Sequence, residues 1–315
     1  MDTGNRSAQD EIRPGKLPGI AGVFIKGFFL SLLRPGAGSI RRTPEKAKFR
    51  LDNVRIEPGR VAQYAKVCGF PKNADNVPVT FCQTLFTPLM GLYFTSGFFP
   101  ASPMGLIHTG QTCERIHPLR PGETVDLFLA MESARTVEKG LEITFSQMVS
   151  AQGKHVWKGS STFLLKRKGY GGQKKAGAEE EQEFTPFAAF DVPAGTGRRY
   201  AAVSGDYNPH HVSGLAARLM GFRTPIAHGM WTMARCAAEI EKLFNFKEEG
   251  IQIKASFKKP VFIPSRVSLS CRRDAGISFV LENEQTGLPH LRGQALSGNK
   301  KRMKGLGDKA ADDPV

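Results

Sequence analysis

Apolar and polar positions alternate over Thr124–Met131, Leu141–Ser150 and Ser161–Leu165, and again over Ile251–Phe257, Val267–Arg272 and Ile277–Glu282. A period of two predicts strands with one buried face. Ahead of each set lies a longer, largely apolar stretch introduced by a proline: Phe81–Ser96 after Pro78, and His228–Phe244 after Pro225. Stretches that apolar and too long for a strand predict helices buried on most sides. One central helix followed by an antiparallel meander, twice over, predicts an α+β fold in which a sheet wraps around each helix.

The two sets also echo each other in sequence, which predicts a tandem duplication. YAKVCGF at Tyr64–Phe70 matches YAAVSGD at Tyr200–Asp206, and VPVTFC matches TPIAHG. IHPLRPGETV at Ile116–Val125 answers KPVFIPSRV at Lys259–Val267, and GKHVWKG at Gly153–Gly159 answers GLPHLRG at Gly287–Gly293. Between the sets, KRKGYGGQKKAGAEEEQEF is rich in glycine and charge and poor in apolar residues, as a linker is. The chain divides into an N-terminal extension (1–44), a first half (45–168), a linker (169–183), a second half (184–300) and a tail (301–315) whose basic-then-acidic composition predicts disorder.

Composition narrows the class. At 315 residues there is material for two cores. Five scattered cysteines without a C-x-x-C pair predict free thiols in a reducing compartment. The net charge of +15 suits a polyanionic ligand or an acidic partner, yet no grouping of aromatic and basic residues makes a nucleic-acid module. The apolar run Ile20–Leu33 is shorter than the ~20 residues a spanning helix needs and carries Lys26 at its middle. A helix packed on the core, an interfacial membrane helix and a targeting segment all remain open for it. The expectation is a cytoplasmic protein, with peripheral membrane contact through Ile20–Leu33 left open.

The halves differ where chemistry would reside. Tyr64 and Pro78 are 14 positions apart, but Tyr200 and Pro225 are 25 apart, so the second half carries an added polar loop and short helix. Phe70 stands opposite Asp206, and Phe81 opposite His228. Polar groups survive in the second copy only, which predicts one site rather than two.

The segment SGDYNPHH…AARLMGFRTPIAHGM resembles the signature of MaoC-like hydratases, the (R)-specific enoyl-CoA hydratase family. The positions that carry it are Asp206, Asn208, Pro209, His211, Gly221, Phe222, Pro225, Ile226, His228, Gly229 and Met230. The resemblance implies a double hotdog fold, and a hydro-lyase that interconverts trans-2-enoyl and (R)-3-hydroxyacyl thioesters. It also implies that Asp206 and His211 activate a water, and that the Gly229 amide at a helix start receives charge from the thioester oxygen. Asn208, His228, Phe222 and Met230 are the expected substrate-binding positions, His228 being also a candidate structural residue at the helix start. No metal and no resident cofactor is expected; coenzyme A enters with the substrate, or an acyl carrier protein presents it. The chain departs from the family pattern at His210, where an aliphatic residue is usual, and at Ser213.

His108, His117, His155 and His290 read as isolated structural residues, and no P-loop or nucleophile elbow is present. Phe70, Phe81, Phe86, Phe94, Phe98 and Phe99 offer wall material for an acyl tunnel or ordinary core. In related double hotdogs a shortened loop in one half admits bulky acyl chains, and the step of 14 implies the same here. Two further readings stay open: a non-catalytic acyl-thioester-binding protein and a hotdog thioesterase. Monomer and homodimer both fit.

Overall fold

The computed structural model describes residues 11–15, 43–71, 75–103, 105–166, 183–243 and 250–297, with positions 22, 26, 27, 30 and 33. Among these, eleven strands form a single sheet: β1 (Glu11–Ile12), β2 (Lys48–Arg55), β3 (Leu106–Arg115), β4 (Thr124–Val137), β5 (Gly140–Ala151), β6 (Lys154–Lys166), β7 (Thr185–Val192), β8 (Ile251–Phe257), β9 (Ser265–Arg273), β10 (Ile277–Asn283) and β11 (Pro289–Ser297). Their order is β1-β2-β4-β5-β6-β3-β8-β11-β10-β9-β7. Read outward from the centre, five strands match on each side, β3-β6-β5-β4-β2 and β8-β11-β10-β9-β7, and β1 adds a short parallel edge beyond β2. The halves join through an antiparallel β3·β8 seam with Gly110 opposite Ser256 and Arg115 opposite Ile251.

This topology corrects the simple meander in one respect. β4-β5-β6 and β9-β10-β11 are meanders, but the strand after each helix returns to pair with the last strand of its set. Of the strands that alternation did not reveal, β3 is the most instructive. Its buried positions are Gln111, Cys113 and Arg115, so burial there is not written in apolar residues.

The helices are α1 (Pro58–Cys68), α2 (Thr87–Thr95), α3 (Thr196–Ser204), α4 (Pro209–Val212), α5 (Gly214–Leu219) and α6 (Gly229–Leu243). The single helix expected over Phe81–Ser96 is divided into a 3-10 turn (Cys82–Phe86) and α2. Pro88 is the cause, because it has no N–H to give the Thr84 carbonyl. Arg60 Nη2 donates to that carbonyl instead at 3.3 Å, while its Nε donates to the Val203 carbonyl of the other half at 3.0 Å. In the second half α6 runs unbroken. Ala234, Cys236, Ala237, Ala238 and Ile240 are fully buried on it, small side chains mostly, which lets the sheet close around the helix. α4 and α5 are the added polar segment that the longer step predicts.

The halves share one core. Trp231 Nε1 on α6 donates to the Val67 carbonyl at 3.0 Å, a further bond across the seam. The linker, apart from Glu183, and the tail lie outside the described residues, as does most of Ile20–Leu33. No helix among the described residues is long and apolar enough to cross a membrane.

Candidate active site

The echoing segments build equivalent corners with different contents. α1 ends at Gly69 (φ 77°, ψ 22°) and α3 at Gly205 (φ 77°, ψ 6°). Both are left-handed helix stops that glycine adopts without steric cost. In the first half the next residue is Phe70, stacked 6.3 Å from Tyr64, which also meets Phe81 edge-on at 5.3 Å. In the second half the next residue is Asp206, and Tyr200 lies 4.9 Å from His228. Aromatic packing has filled the first corner; the second keeps a carboxylate and an imidazole.

Asp206 is followed by a tight loop. Its Oδ1 accepts from the Asn208 amide at 3.2 Å, and Pro209 opens α4. The His211 amide donates to the Asn208 carbonyl at 2.9 Å, so one helical turn carries His211 back over Asp206. Gly197 of α3 makes this possible, since a Cβ there would overlap the His211 carbonyl oxygen. His211 Nδ1 donates to the Ile226 carbonyl at 2.8 Å, which leaves Nε2 as a lone-pair acceptor. His228, only 2% exposed, donates from Nε2 to the Asp206 backbone carbonyl at 2.8 Å, with Asp206 Oδ2 at 3.9 Å. Its ring stacks on His211 with centroids 3.7 Å apart. Donor atoms of Asp206, His211 and His228 thus lie within 4.8 Å of one another.

Burial keeps the imidazoles neutral. It pushes His228 down to about 3, and pushes His211 well below the ordinary histidine value, with His228 and His210 adding to the effect. His210, ring to ring with His211 at 4.0 Å, is lowered by burial as well. At neutral pH the cluster is therefore an ionisable carboxylate beside an uncharged base, the pairing that acid–base chemistry on a water requires.

Gly229 is the first residue of α6. The earliest amides to find an acceptor within that turn are Trp231 and Thr232, both on the His228 carbonyl. The amides of Gly229 and Met230 sit at the positive end of the helix with no carbonyl behind them. A Cβ on Gly229 would press on the Phe257 ring at 3.0 Å, so glycine keeps this corner passable.

The other expected substrate contacts divide. Asn208 is exposed beside Asp206, and Phe222 is half-buried with its ring 5.7 Å from His210, both at the edge of the site. Met230 is buried among core residues. His228 is bound to the Asp206 backbone and ties the Asp206 loop to the start of α6. Sequence reasoning missed Gly197, whose partner is a backbone carbonyl, and it set aside His108, which lies within electrostatic reach of Asp206 from the other half. It also found no metal-ligand spacing, because the three converging donors come from separate loops. The proton that His228 Nε2 gives to the Asp206 carbonyl denies that nitrogen to a cation, leaving Asp206 and His211 as the accessible donors.

Of the Phe residues offered as tunnel wall, Phe70 and Phe81 fill the first corner, and Phe86 stacks 5.9 Å from Trp157. Phe94 and Phe99 belong to a ring cluster with Phe145, and Phe94 continues it to Phe163 near His108.

Comparison with known proteins gives a consistent set of likenesses. Residues 175–286 match the MaoC like domain. The chain is 32% identical over 269 residues to 3-hydroxyacyl-thioester dehydratase X of Mycobacterium tuberculosis, covering 83% of this chain and 95% of that protein. The crystal structure of HtdX from the same organism superposes with a TM-score of 0.69 at 31% identity, over 79% of this chain and 99% of that one. A second M. tuberculosis protein, described as having a double hotdog fold, matches with a TM-score of 0.53 at 10% identity, over 84% of this chain and 99% of its own.

Proposed function

The chain belongs to the MaoC-like dehydratase family with a double hotdog fold, and from that premise we propose that it is a hydro-lyase interconverting trans-2-enoyl and (R)-3-hydroxyacyl thioesters. The observation that carries this reading is the convergence of Asp206 and His211 beside the amino end of α6. A non-catalytic binder has no use for a buried neutral imidazole turned toward a carboxylate.

In the hydration direction, a water lies between the Asp206 carboxylate and His211 Nε2. The pair takes one of its protons as the water oxygen bonds to the β-carbon, and a proton is delivered to the α-carbon; the net change is addition of H and OH across the double bond. Charge moving onto the thioester oxygen is met by the Gly229 amide, aided by the helix end. Dehydration retraces these steps. His211 is fixed as a lone-pair base by its bond to the Ile226 carbonyl, while His228 sets the height of the Asp206 loop. The steps call on no metal or resident cofactor, and coenzyme A or an acyl carrier protein stays joined to the acyl group through the thioester throughout and leaves with the product.

The test is the loss of enoyl-CoA ultraviolet absorbance across acyl chain lengths. Wild type is expected to turn over, to favour bulky chains over crotonyl in kcat/KM, and to keep its rate after dialysis against EDTA. Asp206→Asn and His211→Ala each should lose at least ~100-fold in turnover. Thiol release without a hydrated product would instead identify a thioesterase, and binding without turnover a carrier of acyl thioesters.

A further inference from the structure

The second half supplies Asp206, His211 and Gly229, but a ring from the first half reaches the same place. His108 lies on β3 just where the β3·β6 ladder slips, between His108 and Gly110. Its imidazole is stacked on Phe163 of β6, with centroids 4.6 Å apart and planes at 18°, and lies 5.0 Å from Phe257 of β8. Phe257 is the ring that also walls Gly229. His108 is thus clamped between the two halves, one ring away from the amide proposed to hold the thioester oxygen.

The clamp leaves a polar atom unused. The Gly110 carbonyl and the Gln111 side chain attract the imidazole N–H, and Asp206 acts on the ring through space. Nε2 is buried with no hydrogen-bond partner. Burial lowers His108 to about 4, so the ring is neutral at pH 7, and in the tautomer that carries its proton on Nδ1 the Nε2 atom presents a lone pair. A buried acceptor left unmet is costly, which calls for a donor that arrives with something else. On the reacting segment of an acyl thioester, the carbonyl oxygen only accepts. The β-hydroxyl, and the water from which it forms, can donate.

We infer that His108 is a substrate-contacting residue lent by the otherwise degenerate half, its Nε2 accepting the hydrogen bond of the β-hydroxyl of a 3-hydroxyacyl thioester or of the water that becomes it. This rests on the hydro-lyase reading above. It makes the first half part of the active site, and it gives the enzyme a means of telling a hydroxylated acyl group from a saturated one.

Two inhibition constants in one hydration assay test it: that of the (R)-3-hydroxyacyl-CoA product and that of the saturated acyl-CoA of the same length. His108→Phe keeps the stack on Phe163 and Phe257 but removes the nitrogen. It should raise the product constant about three- to tenfold and leave the saturated one within about twofold, and His108→Gln should restore part of the difference. If the Phe variant does not fold, His108→Leu is read by the same two constants. A parallel rise in both constants, or no change in either, overturns the role of His108 while leaving the hydro-lyase reading intact. A wild type that hydrates no enoyl thioester overturns both.

Discussion

Each histidine of the cluster is assigned by the partner it binds. His211 gives its Nδ1 proton to a carbonyl and keeps Nε2 for chemistry; His228 gives its Nε2 proton to the Asp206 backbone and is spent on support. The low value imposed on His211 by burial has a kinetic consequence. A base already neutral does not lose function when the pH passes through about 6.5, the ordinary histidine value. The hydration rate should stay level across that value and fall only at lower pH, whereas a drop centred near 6.5 would mean that His211 is solvated in the working enzyme. Asp206, His211 and Gly229 could be named from the sequence only through the family resemblance; the structure brings Asp206 and His211 together and sets Gly229 at the start of α6. His108 could not be named, because its role depends on a seam between strands of different halves.

At the scale of elements, α4 sits where it does because α3 offers no side chain at Gly197. Gly197→Ala would place a methyl against the His211 carbonyl, a backbone atom that cannot swing aside. Thermal unfolding should register about 1–3 kcal/mol of destabilisation, and a displaced His211 should cost about 100-fold in kcat. Gly214→Ala, at the start of α5 with nothing within 4 Å of the added carbon, is the control and should leave both unchanged. The strands show the same limit of local reading. β4, β5, β8, β9 and β10 announce themselves by alternation, whereas β3 hides behind buried Gln111 and Arg115. The break before α2 was not anticipated: a proline such as Pro88 is as compatible with a helix start as with a break until Arg60 is seen taking the orphaned carbonyl.

For the whole molecule, buried ionisable groups set the response of stability to pH. His108 at about 4, His228 at about 3 and His211 all resist protonation when folded. Unfolded histidines take up protons below about 6.5, so these groups cost stability as pH falls from there. Glu241 on α6 is raised to about 7 by burial, with Arg115 of β3 opposing the shift; its contribution runs the other way and is lost as pH rises from about 4.5 to 7. The histidines outnumber it, so the unfolding free energy should climb between about pH 5 and 6.5, by up to ~1.4 kcal/mol per pH unit for each net proton, and the urea midpoint should rise with it. A falling midpoint would show that Glu241 dominates. The β3·β8 seam carries a different lesson. Six residues of each strand face one another across it, from Gly110 opposite Ser256 to Arg115 opposite Ile251, and neither strand has another partner on that side. A covalent connection between the halves is therefore not what keeps them in register. Fragments 1–168 and 184–315 expressed together should find each other and recover dehydratase activity, as a split reporter does, while either piece alone, with a naked strand at its margin, should aggregate.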